Sequence, residues 1–277
     1  MSVLVPIILL AGLALVVPLA IMLNQIFVVG IMMFTMLFFG QILNQFKGTT
    51  YEKQMSESQI PSWLFMGNIV FITFLMSWIT FGIMFFTTVG LQVTGMFNTS
   101  WFGVEFANIS WLEMVSYNFL VWTTFVNIVL SIAIAFLFTK MVKKISVYSM
   151  VVFMYMIVVF FLGAALTNGQ ELYTASNGEQ WVRWGTAHMS RYTKPLQLVI
   201  PHFYVIEIGH NSFGALQEAV EINGVNTRVF ESIRHINVFS FRDWAYSMLV
   251  LSPLLWTSLI TAISIAISKS HKKRGVS

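Results

Sequence analysis

Long uncharged apolar runs alternate with short polar stretches along this chain, and the runs have the length that a bilayer demands. A helix crossing the hydrocarbon needs about 20 mostly apolar residues. Val3 to Phe46 carries no charge and is about twice that length, so it reads as two spans, roughly 3–23 and 26–46, turning near Asn24 and Gln25. Residues 64–88, 118–138, 145–166 and 245–267 supply one span each, which makes six. The pattern therefore predicts an all-α integral membrane protein, a single transmembrane domain over residues 1–277.

Between the spans lie two longer polar segments, 90–117 and 167–243. The second has its own organisation. Pro195–Gly209 is apolar but short and interrupted by Pro201, so it predicts a re-entrant or interfacial helix before the last span. Asn211 predicts a cap for a short helix running to about Glu218. Val220-Glu221-Ile222 and Val225-Asn226-Thr227-Arg228-Val229 alternate around Asn223-Gly224, the signature of a hairpin with a two-residue turn.

Composition agrees with the membrane reading: 57% of the residues are hydrophobic and 9% charged, against about 25% charged in soluble domains. The net charge of +4 does not point to nucleic acid, because the basic residues sit between apolar runs. Lys47 and Lys53 follow the second predicted span; Lys140, Lys143 and Lys144 follow the fourth; Lys269, Lys272, Lys273 and Arg274 follow the last. Two spans separate each cluster from the next, which puts all three on one side with only Glu52 and Glu57 as acids. The positive-inside rule makes that side cytoplasmic, so the expectation is a multi-pass protein of the plasma membrane with both termini in the cytoplasm. Trp63, Trp111 and Trp244 fall near span ends, as interfacial anchors do. Met1–Leu23 lacks a basic leader and runs on into apolar sequence, so no cleaved signal peptide is expected.

Chemistry is sparse. The chain has no cysteine, which excludes disulfides and thiol catalysis. None of the six predicted spans holds Asp, Glu, Lys, Arg or His, so a coupling ion has no ionisable partner within them. No G-x-x-x-x-G-K-[ST] stretch is present to bind nucleotide, and no catalytic residues or enzyme activity are expected. Glu207 and His210, with His202 nearby, have a helical metal-ligand spacing, but one such pair without further carboxylates in register reads as the polar edge of a helix. Asn68, Asn118 and Asn127 lie within or at the ends of spans, where interhelical hydrogen bonding or a polar pathway would use them.

The segment after the second predicted span is more pointed. Thr49 and Glu52 form an S/T-x-x-E capping box, so a helix is expected to start at Thr50, and Pro61 disfavours helix at Ile60. Tyr51, Met55 and Ser58 share a face, leaving Glu52, Lys53 and Glu57 outward. The plainer reading is a polar loop with one helical turn.

This order of features resembles the type-2 ABC permeases, the membrane subunits of a class of ABC transporters. The likeness rests on Lys47-Gly48-Thr49 leading into Tyr51-Glu52-Lys53, on Ile60-Pro61 before Phe65-Met66-Gly67-Asn68, on Phe160-Phe161-Leu162-Gly163, and on Lys194 to Tyr204 before the last span. The resemblance implies six spans and a short cytoplasmic coupling helix in which Thr49, Thr50, Tyr51, Glu52, Lys53, Met55, Ser56, Glu57, Gln59 and Ile60 contact an ATP-binding cassette subunit. It also implies pairing with a second copy or a related permease, and export of a lipid, peptide or drug. ATP and magnesium would then be bound by the partner, and this chain would carry no cofactor. Two other classes fit the residues: a membrane scaffold binding a surface partner through 167–243, and a secondary transporter or channel working alone.

Overall fold

A computed structural model describes residues 19–46, 62–93, 117–142, 144–167, 170–174, 180–184, 200–210, 216–222, 225–229 and 244–273. The helices are α1 (Leu19–Phe46), α2 (Ser62–Val93), α3 (Tyr117–Met141), α4 (Ile145–Thr167), α5 (His202–His210) and α6 (Trp244–Lys273). Between them run the strands β1 (Gln170–Thr174), β2 (Gln180–Trp184), β3 (Leu216–Ile222) and β4 (Val225–Val229). Four helices, α1, α2, α3 and α6, are long and apolar enough to cross a membrane. Helix α4 is 23 residues long and is apolar over Ile145–Phe161. The protein is thus a multi-pass helical membrane protein, and four of the six predicted spans fall on helices to within a few residues.

The first hairpin is different from expectation. Helix α1 runs unbroken through Asn24 and Gln25, so there is no turn at that point, and residues 3–18 of the first predicted span lie outside the described residues. Neither residue breaks a helix as Gly or Pro would. Their amides are buried instead, at 1% and 2% exposure, on the inside of the bundle. The cytoplasmic N-terminus rested on that turn and no longer follows from it.

A second correction concerns residues 211–218. Leu216–Glu218 belong to strand β3, not to a helix capped by Asn211. Long-range pairing overrides the local cap signal: Trp181 faces Glu218, Val182 faces Gln217 and Arg183 faces Leu216 across an antiparallel ladder. Strands β3 and β4 pair with Ile222 opposite Val225, which is the hairpin expected around Asn223-Gly224. The four strands form one antiparallel sheet in the order β1-β2-β3-β4. The membrane part is all-α, as expected, and the segment between α4 and α6 adds this small sheet to it.

Helix α1 is the centre of the bundle, packing on α2, α3, α4 and α5, while α3 also packs along α6. Apolar side chains surround every one of these helices, so hydrophobic patterning does not choose the buried face; inside a bilayer, small and polar residues do. Gly40 shows how. The Tyr148 ring of α4 lies directly against its Cα, where a Cβ would overlap the ring, and the Tyr148 hydroxyl donates to the Met36 carbonyl. Helices α1 and α2 are joined by the Thr35 and Ser77 hydroxyls, 2.8 Å apart and fully buried. Helices α1 and α3 are joined by Asn127, whose Nδ2 donates to the Val28 carbonyl at 2.8 Å. Asn68 and Asn118 are exposed, so of the three span asparagines only Asn127 faces inward. At the far end of α3, Lys140 lies 5.0 Å from the centre of the Phe136 ring, its stem lying along its own helix.

Candidate functional site

The inward-facing polar groups converge on α5. This helix is nine residues long, too short to span, and it is packed against α1, α3, α4 and α6. Pro201 begins it well, since proline has no N–H to leave unsatisfied in a first turn. The Ile200 and Pro201 carbonyls accept from the Phe203 and Tyr204 amides at 3.1 Å, closing that turn without water. Ile200, Pro201, Phe203, Val205, Ile206 and Ile208 are buried, so an apolar sequence in a nominally external segment is accounted for by insertion among helices.

His202 stands at the inner end of α5 and is fully buried. Its Nε2 lies 3.0 Å from the Ser131 Oγ of α3, and its Nδ1 lies 2.8 Å from the Tyr155 hydroxyl of α4. Both hydroxyls can donate or accept, so a neutral imidazole is satisfied in either tautomer, with one nitrogen donating and the other accepting. Burial pushes the His202 pKa down from its ordinary value, to about 3. Ser131 and Tyr155 both occupy the middle third of their helices, so the imidazole reaches the mid-depth of the bundle. The spans themselves lack ionisable residues at that depth, as expected, and α5 brings one in from elsewhere in the chain.

The other end of α5 is held by α1. Asn24 Nδ2 donates to the Ile206 carbonyl at 3.0 Å, and the rest of that amide rests on Gly209. A methyl group at Gly209 would overlap the Asn24 Oδ1, so glycine is required for close approach and not for backbone conformation. We expect Gly209→Ala to lower stability in detergent by about 1–3 kcal/mol, the usual cost of overpacking. In the Asn24→Ala background the added methyl should cost little, which thermal unfolding of the four proteins of the cycle would read. Equal losses in both backgrounds would disprove this contact.

Two side chains in this region lack a complete set of partners among the described residues. Asn127 keeps an unpaired Oδ1, and both amide atoms of Gln25 are unpaired, although each residue is almost entirely buried. Asn24, Phe27, Val28, Ile31, Leu120, Thr123, Thr124 and Asn127 enclose a small cavity of ≈ 10 Å³ between α1 and α3.

Measured against expectation, the structure brings His202 into the bundle and gives both ring nitrogens hydroxyl partners, so it is no free metal ligand. No group of three or more metal-binding side chains occurs among the described residues; the side chains of Glu207 and His210 lie outside them. The predicted coupling helix, Thr49 to Ile60, also lies outside the described residues. Ser131, Tyr155, Tyr148 and Asn24 were not singled out as contacts by sequence reasoning, although the apolar Pro195–Gly209 stretch containing a histidine was the signal that something polar had to meet it. Comparison with protein-family models finds no match, and no curated protein or solved structure shows significant similarity to the chain.

Proposed function

We propose that this chain is the permease subunit of an ATP-driven transporter, exporting a hydrophobic or amphipathic substrate. The observation that carries this reading is α5, a short apolar helix placed in sequence just before the last membrane helix and buried among α1, α3, α4 and α6. In this reading α5 is a re-entrant helix, and its polar pins seal the bundle on the outer side. The scarcity of ionisable groups at mid-depth supports an external energy source. His202, hydrogen-bonded on both sides and held neutral by burial, does not offer an exchangeable proton near neutral pH. ATP would be hydrolysed by a cassette subunit docked on Thr49–Ile60, with a second permease completing the path.

Purification in mild detergent followed by mass spectrometry tests this directly. A stoichiometric partner carrying a Walker A motif is expected, and its transport-stimulated ATPase activity should fall at least tenfold in the Tyr51→Ala, Glu52→Ala double variant, with the complex still assembled. Absence of any ATPase, under conditions that keep a control transporter intact, would overturn the reading. The four-stranded sheet favours a second one, a scaffold whose external segment holds a surface partner. A scaffold would tolerate the Tyr51 and Glu52 changes and lose function when residues 170–229 are replaced.

A further inference from the structure

We infer that the cavity between α1 and α3 is a binding site for one water molecule, which completes the hydrogen bonding of Asn127 and ties α3 to the helix that anchors α5. Asn127 is 1% exposed, and its amide orientation is set by chemistry: Nδ2 must face the Val28 carbonyl, because the reverse orientation would bring two acceptors together. Oδ1 is therefore a fixed, buried acceptor without a protein donor among the described residues. An amide oxygen left bare in an apolar medium costs roughly 1–3 kcal/mol.

The cavity beside it has the size and lining to remove that cost. Its volume is ≈ 10 Å³, close to the single probe sphere that one water needs. A dry cavity is lined by apolar groups alone, whereas a water requires two to four polar partners. Here the wall contains the Asn24 amide from α1, and from α3 the Asn127 amide with the Thr123 and Thr124 hydroxyls. No carboxylate or other charged group lines it, so a neutral ligand fits and a cation does not. Asn24 is also the residue that pins Ile206 of α5, so the proposed water lies where α1, α3 and α5 meet.

The test uses the full chain in lipid bilayers, uniformly labelled with nitrogen-15, and solid-state NMR transfer of magnetisation from water protons to side-chain amides. The expected result is a water cross peak to the Asn127 Nδ2 protons, and no such peak to apolar-packed backbone amides at the same depth in α3. A crystal structure from a lipid mesophase provides the second measurement, with an isolated density peak about 2.7–3.2 Å from Asn127 Oδ1. The inference is overturned by an Asn127 amide that is visible through intraprotein transfer yet silent to water. It is equally overturned by an empty cavity at a resolution where other buried waters are seen, or by density for a bound cation.

Discussion

Gly40→Leu should separate α1 from α4 and leave the purified protein largely unfolded or aggregated at temperatures the parent survives. The Tyr148 ring occupies the space of any side chain at position 40, and the Tyr148 hydroxyl is committed to the Met36 carbonyl one turn away. Tyr148 is itself 1% exposed, so the ring has nowhere to turn. Overpacking by even a methyl group costs about 1–3 kcal/mol, and the larger leucine forces the helices apart. That loss removes the van der Waals contacts on which association within a bilayer depends. Gly40→Ala should give a graded version of the same defect. Replacing Tyr148 by leucine should restore tolerance of the Gly40→Ala change, at the cost of the hydroxyl bond. Size-exclusion profiles and thermal unfolding of the single and double variants would measure this; a Gly40→Leu protein as stable as the parent would show that the two helices do not pack through this pair.

The second large effect belongs to His202. His202→Leu keeps volume near α5 but strips two hydroxyls of their partner. Ser131 can turn to a carbonyl of its own helix, as serines in helices do, whereas Tyr155 has no such local acceptor. Two interhelical hydrogen bonds at roughly 0.6–1.7 kcal/mol each predict a loss of about 1–3 kcal/mol. His202→Gln, which retains a donor and an acceptor, should recover part of it. The same residue sets a pH dependence. Its folded pKa lies below the unfolded one because burial disfavours the imidazolium, so the unfolded chain binds a proton that the folded chain does not. The stabilisation is then complete above about pH 6.5 and falls as pH drops towards 3, by at most about 1.4 kcal/mol per unit. Thermal unfolding between about pH 6.5 and 5, above most carboxylate titrations, should therefore show a slope in the parent that is smaller in His202→Leu. Identical slopes would mean that His202 is not buried in the folded protein.

Which parts of this molecule could be read from residue order depends on what each signal measures. Helices α2, α3, α4 and α6 were legible because each is a long apolar run bounded by polar residues, a local property. The β3–β4 hairpin was legible for the same reason: Asn223-Gly224 between two alternating stretches is a local instruction. Asn24-Gln25 was misread because polar residues in an apolar run mark either a turn or an inward-facing contact. The choice lay 182 residues away, where the Ile206 carbonyl accepts the Asn24 amide. Likewise Asn211 carries a cap signal that strand pairing overrules, since ladder partners come from Trp181 to Arg183.

By itself, then, the sequence determined that the chain enters a membrane, roughly where its helices begin and end, which ends are basic, and that a short apolar segment before the last span had to bury itself. Those follow from the hydrocarbon's intolerance of unpaired backbone and charge, which acts on each segment alone. Only the tertiary structure decided which faces meet, because helices apolar on every side carry no directional hydrophobic signal within lipid. Glycine at 40 under a tyrosine ring, a histidine between two hydroxyls and an asparagine on a glycine made that choice. Each of these contacts pairs residues far apart in sequence, and each is visible only once both helices are in place.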